Sequence, residues 1–347
     1  MENTNLLVGK VSSGKTKGYM FHKVDEQINR GENLLILDNK REYYTRFKNK
    51  LDENGYRCFM FNLEDTTKSN SYNPLLLPYQ YYKNGNKDKA ITLIQDLGLE
   101  IFKSDNNNVD PFWDESATNY FMALVLILFK EASLEEINLG SVQAMIRFGE
   151  EKIGDSYVIN KYFEQLDILD SIYISGSAIV FAPIETRGSI LSVMKQKLNN
   201  YCVREQLMNN LCGNESSFSN IHSKTAIFVI GAKSLNRLAN IFIDQAVEYF
   251  TDNNINFTYI LDNFSDMPKL LGLDKMLDEK LKLYVVVRDL EQFKSVYGEY
   301  MPTKFEHIID EFVARYDDMV MNNEVLYPES VINHAKYFNL KEFVMNH

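Results

Sequence analysis

Eight residues near the amino terminus constrain this chain more than anything after them. GKVSSGKT, Gly9 to Thr16, follows the apolar run Leu6-Leu7-Val8 and matches the pattern G-x-x-x-x-G-K-[ST] at every position. At ordinary residue frequencies such a match arises by chance in about one chain in a hundred of this length. The flanks agree with it, because an apolar strand precedes the loop and a helix-compatible stretch runs from Lys15 to about Asn29. Strand, tight glycine turn and helix, in that order, point backbone N–H groups at phosphate oxygens. The residues expected to meet a nucleotide here are Gly9, Ser12, Ser13, Gly14, Lys15 and Thr16. Lys15 would set its ammonium against the β- and γ-phosphates, and the Thr16 hydroxyl can ligate Mg²⁺.

The next segments extend that beginning into an α/β layer. Asn33 to Asp38 reads as a buried strand closing on a carboxylate. Lys40 to Glu53 reads as a helix broken by Gly55, and Tyr56 to Leu63 as another strand. This β-α-β-α-β order predicts a mostly parallel sheet with helices on both faces. Ser69 to Tyr82, rich in Asn, Pro and Tyr, reads as an ordered loop. From about Asp88 to Asn214 helical periodicity dominates, over Ala90–Lys103, Asp114–Ala132, Leu139–Glu151, Val158–Leu169 and Gly188–Leu211. Strands return at Thr225–Ile230, Phe257–Asp262 and Leu283–Val287. The expected organisation is a nucleotide-binding domain split into residues 1–87 and 216–347, with an all-helical domain, 88–215, inserted between its halves.

Composition narrows the function. The only strong apolar run, Phe121 to Phe129, has nine residues, under half of a bilayer span, so it predicts a buried helix. No export signal opens the chain, and a cytoplasmic place is expected, peripheral at most to the inner face of the membrane. Three cysteines in no metal spacing and five scattered histidines argue against a zinc site. A net charge of −11 offers no broad surface for nucleic acid, and Glu299 to His347 is more acidic still, with nine acidic and four basic side chains. Trp113 could stack on a base but is expected to anchor the helical core. No Ser-His-Asp, Cys-His or paired-carboxylate arrangement emerges.

A nucleotide loop needs an acidic partner at the end of a neighbouring strand to hold Mg²⁺, usually through water. Asp262, after Thr258-Tyr-Ile-Leu261, has the required flanks, and Asp38 is the competitor.

Several blocks, in order, then resemble one family. They are NLLVGKVSSGKT; LDNKRE beside the family's D-P-K-G-E; GYRCFMFNLEDTTKSNSYNPL; VDPFW at Val109 to Trp113; YILDNF at Tyr259 to Phe264; and EQFKSVYG at Glu291 to Gly298. Together they resemble the TraG-like coupling ATPases of conjugative DNA transfer and type IV secretion. The resemblance implies a RecA-like motor core with an inserted all-helical domain, ATP and Mg²⁺ as ligands, and a homo- or hetero-oligomeric ring, hexameric in the family. It also implies relaxase–DNA cargo and secretion-channel components as partners.

The departures bear on chemistry. The family ends its strand on Asp-Glu, the glutamate being the expected base for the attacking water, whereas this chain has Asp262-Asn263. An amide cannot take a proton, so hydrolysis is expected to fall, general-base contributions being about 10²–10⁴-fold. Where the family usually places a γ-phosphate-sensing glutamine, this chain has Arg288, which could stabilise a triphosphate or simply pair with an acid. In Asp38-x-Lys40-x-Glu42, Asn39 and Arg41 replace the family's proline and glycine, which is expected to loosen the loop. The family normally carries membrane-spanning helices before the motor core, whereas this sequence opens at the first strand. Two classes follow: a motor in which another carboxylate, Asp266 for example, replaces the base, or an ATP-binding relative that hardly hydrolyses and serves cargo or ring assembly. Asn263 and Arg288 favour the second.

Overall fold

The computed structural model describes residues 3–104, 110–213, 218–221, 223–310, 312 and 340–346, leaving out the side chains of residues 343 and 346. Val109 of the Val109–Trp113 block, the expected boundary at 215/216 and residues 313–339 of the acidic tail lie outside the described residues. The chain forms two compact units, Met1–Asn70 with Phe218–Ser330, and Ser71–Ser217 with Val331–His347.

The first unit opens with β1 (Thr4–Val8), α1 (Phe21–Arg30), β2 (Asn33–Leu37), α2 (Glu42–Glu53) and β3 (Arg57–Asn62). The second unit contains α3 (Leu76–Lys83), α4 (Lys87–Phe102), α5 (Pro111–Glu131), α6 (Leu139–Phe148), a small hairpin of β4 (Lys152–Ile153) and β5 (Ser156–Tyr157), α7 (Val158–Phe163), α8 (Ser171–Val180), α9 (Ile184–Cys202) and α10 (Glu205–Asn210). The chain returns to the first unit for β6 (Thr225–Ile230), α11 (Asn236–Asp252), β7 (Phe257–Leu261), α12 (Leu273–Asp278), β8 (Lys282–Val287), α13 (Leu290–Tyr297) and β9 (His307–Ile309). The last described helix, α14 (Leu340–Asn346), belongs to the second unit, where it packs on α6 and α7.

Seven parallel strands form the sheet, in the order β3-β6-β2-β7-β8-β1-β9. Its inner strands are continuous apolar runs such as LLV, LLIL and AIFVI, because both faces are covered and neither can stay polar. On one face the turn Thr16–Met20 with α1 and α2 sets Met20, Val24, Tyr44, Phe47 and Leu51 against Leu34, Ile36, Phe228 and Ile260. This is the predicted RecA-like architecture. It carries β1, β8, β7 and β2 side by side, so that the loops at their carboxyl ends meet.

The second unit departs from expectation at its edges. It begins at Ser71 and not at residue 88, and it takes back α14 from the end of the chain. The reason is α3, which lies inside the stretch expected to be a loop. Asn73 turns the chain into it by accepting from Leu75 N–H at 3.0 Å and donating to Ile137 O at 2.6 Å. Buried Leu76 and Leu77 and the packing of α3 on α4 then override the turn-forming composition. Ser171–Val180 also forms a helix that periodicity missed, started by Asp170 accepting from Ile172 N–H at 2.9 Å. The predicted helix Gly188–Leu211 divides into α9 and α10. The apolar run in α5 is interior, with Phe121, Leu124 and Leu128 sealed from solvent. Among the described residues no helix is long and apolar enough to cross a membrane. Trp113 is only partly buried, its ring edge-on to the half-exposed Phe112 at the start of α5, so it does not anchor that core.

Candidate nucleotide-binding cleft

The loop Gly9–Thr16 joins the carboxyl end of β1 to a short π-helical turn, Thr16–Met20, that runs into α1. Two residues in it take left-handed backbone, Ser12 at φ 65° and Gly14 at φ 81°. Glycine adopts that conformation without strain, which is the physical basis of the second glycine in the motif. Gly9 N–H donates to Val287 O at 3.2 Å, pinning the loop to β8. Lys15 folds back along its own loop. Its ammonium donates to Gly9 O, to Lys10 O at 2.8 Å and to Ser13 Oγ at 3.4 Å. Burial lowers the Lys15 pKa, the Asp262 charge opposes that shift, and Lys40 and Arg288 add to it.

Facing the loop, Asp262 follows β7 and is 2% exposed. Its Oδ2 accepts from Thr16 Oγ1 at 2.7 Å and from Tyr43 Oη at 2.8 Å, and its Oδ1 accepts from Asn263 N–H at 2.7 Å. The competitor Asp38 sits at the end of β2, equally buried, but it is occupied differently. Its carboxylate caps α2, accepting from Tyr43 N–H at 3.2 Å and Tyr44 N–H at 2.8 Å. Burial pushes its pKa up to about 7 against those two bonds, with the Asp262 and Glu42 charges adding. A hydroxyl and a carboxylate in contact, both hard oxygen donors, suit Mg²⁺, so Thr16 with Asp262 fits that ion better than Asp38.

Gly14, Lys15, Thr16, Asp262, Asn263 and Arg288 line one cleft of about 310 Å³, together with Ser12, Ser13, Lys40 and Glu42. The residues selected from sequence for the loop, the acid and the two divergent positions therefore meet, except that Gly9 lines a neighbouring cleft sharing Ser13 and Arg288. Asn263 holds left-handed backbone at φ 52°, a conformation asparagine tolerates better than most residues. Arg288 extends to Asp266 in an ion pair, and its N–H donates to Ser265 Oγ at 3.0 Å. Of the two readings of Arg288, the paired one is what the structure contains. Asp266 is held by that pair and does not line the cleft.

Three participants escaped sequence reasoning. Tyr43 reaches Asp262 from 219 positions away, a link no local pattern reveals. Lys40 and Glu42 stood in the quoted block without a role, and the spacing Asp38-x-Lys40-x-Glu42 was the available signal. The loop they belong to is not loosened by its substitutions. Asn39 Oδ1 accepts from Gly231 N–H at 3.0 Å, tying the end of β2 to the end of β6, and Arg41, at φ 57°, pairs with Glu64 at 2.6 Å. Arg41 thus occupies with strain the left-handed position for which the family's glycine is suited.

The family model described as type IV secretory system conjugative DNA transfer matches residues 3–322, well past the last motif visible by eye at Gly298. No curated protein matches the sequence. Among solved structures, the unbound bacterial conjugative coupling protein TrwBdeltaN70 is similar at a TM-score of 0.58 and 13% identity, covering 88% of this chain and 67% of that one. TrwB in complex with ADP and Mg²⁺ is similar at 0.58 and 12%, covering 88% and 70%. VirB4 of Thermoanaerobacter pseudethanolicus is similar at 0.54 and 11%, covering 99% and 90%. At such identities the likeness establishes the fold.

Proposed function

This chain belongs to the type IV secretory system conjugative DNA-transfer family, and from that premise we propose that it is a Mg-ATP-binding coupling subunit whose own hydrolysis is slow. The observation that carries the reading is the hydrogen bond from Thr16 to Asp262, which brings loop and acid together across a cleft that Lys15 also lines. The similar TrwB structure with ADP and Mg²⁺ supports the choice of ligand. In this reading the loop N–H groups and Lys15 hold the β- and γ-phosphates, Lys15 exchanging loop carbonyls for phosphate oxygens. Thr16 and Asp262 hold Mg²⁺, which neutralises charge on the triphosphate. Slow turnover is expected from Asn263, an amide at the position where the family places its base.

We assign the protein to cargo handling or ring assembly within a conjugative or secretion apparatus, working as one subunit of a homo- or hetero-oligomeric ring at the inner face of the membrane. Relaxase–DNA cargo and channel components are the partners this assignment names. The test is binding and turnover measured on one preparation. The wild type should bind Mg-ATP and hydrolyse it slowly, and Lys15→Ala should abolish binding. Vigorous hydrolysis stimulated by single-stranded DNA would instead make it a translocating motor.

A further inference from the structure

The geometry points to Glu42 as the general base of whatever ATP hydrolysis this protein performs, in place of the glutamate missing at position 263. The assignment rests on the nucleotide reading of the cleft and adds to it the group that accepts the water's proton.

Two acidic side chains line the cleft, Asp262 and Glu42. Both oxygens of Asp262 are taken, by Thr16, Tyr43 and the Asn263 N–H, and a group committed to a hydroxyl and a metal is a poor proton acceptor. Asp266, the alternative raised by sequence, is held by Arg288 outside the cleft. Glu42 is partly buried and, among the described residues, accepts no hydrogen bond and joins no ion pair. It is the lining carboxylate with lone pairs to spare.

Its placement is also fixed from below. Glu42 opens α2, whose next two N–H groups are capped by buried Asp38, while the Tyr43 hydroxyl ties the same turn to Asp262. The first turn of α2 is therefore anchored to the acid expected to hold Mg²⁺, with Glu42 at its first position. The plain alternative is a solvated carboxylate favoured by the helix dipole, worth about 0.3–1 kcal/mol. That role does not call for a place in the lining of the cleft that Lys15, Thr16 and Asn263 also line.

Water oxygen forms a bond to the γ-phosphorus while the bond from that phosphorus to the bridging oxygen breaks, and ADP keeps the electron pair. The water proton passes to the Glu42 carboxylate and from there to solvent.

The experiment measures Mg-ATP affinity and single-turnover release of labelled γ-phosphate in wild type, Glu42→Gln and Glu42→Asp. Glu42→Gln should bind Mg-ATP as the wild type does and lose about 10²-fold or more in turnover. Glu42→Asp should recover part of it, with the acid limb of the pH–rate profile present in wild type and absent in Glu42→Gln. Equal turnover in wild type and Glu42→Gln, no turnover in a wild type that binds, or loss of binding together with turnover in Glu42→Gln each overturns the assignment while leaving the cleft reading standing. A wild type that binds no Mg-ATP overturns the cleft reading, and the assignment falls with it.

Discussion

Asn263 follows Asp262 at the end of β7 and presents an amide where the proposed chemistry calls for a carboxylate. It lines the cleft beside Asp262 and holds left-handed backbone at φ 52°. Restoring an acid there, Asn263→Glu, should raise ATP turnover by about 10- to 10³-fold, below the full general-base range because glutamate in left-handed backbone is strained by about 1–2 kcal/mol. Phosphate release at saturating Mg-ATP checks it, and an unchanged rate would show that the missing acid is not what limits hydrolysis. Arg288 illustrates the converse. Its charge suits a phosphate sensor, yet its guanidinium is engaged by Asp266, a pair with 38% and 55% exposed side chains that contributes little to stability.

Helix α2 and the helices of the second unit show how elements are held. Asp38 caps α2 from a buried position, and its pKa is raised from 3.8 to about 7 chiefly by burial. An acid whose folded pKa is raised binds its proton more tightly in the native state. The stability it contributes is complete below about pH 4 and is lost as pH rises through about 7, by about 4 kcal/mol in all. Asp38→Asn keeps one acceptor for the cap but carries no charge to desolvate. Urea unfolding should therefore show Asp38→Asn gaining on the wild type between pH 5 and pH 8, and a pH-independent difference would contradict the burial argument. In the second unit α8 crosses α5 at Gly176, where an added Cβ would meet Phe163 Cζ at 2.6 Å and Ala123 Cβ at 2.8 Å. Gly176→Ala should destabilise this unit by about 1–2 kcal/mol, overpacking outweighing the helix-propensity gain. The unfolding midpoint of the full-length protein, followed by circular dichroism, reads that loss.

The molecule as a whole is two cores threaded by one chain. The sheet joins residues before 70 with residues after 218, and the helical unit is built from the span between them together with α14. Two compact units predict unfolding that is not two-state. Calorimetry should resolve two transitions, and Mg-ADP at about 100 times its Kd should raise only the one belonging to the sheet unit, adding about 2.7 kcal/mol to it. A ligand that raised both transitions together would mean the units unfold as one.

The parallel sheet, the phosphate-type loop and the carboxylate closing the strand at Asp262 were legible in the sequence, because each is written in contiguous residues: an apolar run, a glycine-spaced turn, a strand ending on an acid. The helical insertion was legible as periodicity, though α3 was hidden inside Ser69–Tyr82, whose Asn and Pro content mimics a loop until α4 supplies a partner to pack on. Only the tertiary structure decided where Tyr43, Lys40, Glu42 and Asp266 stand: Tyr43 on Asp262, Lys40 and Glu42 at the cleft, Asp266 on Arg288. Strand order sets β2 beside β7 and β1 beside β8 although each pair joins the two ends of the chain, so the company each carboxylate keeps is a property of the sheet. Which acid is capped, which is paired and which is left open to the cleft depends on those neighbours, and no stretch of sequence contains them.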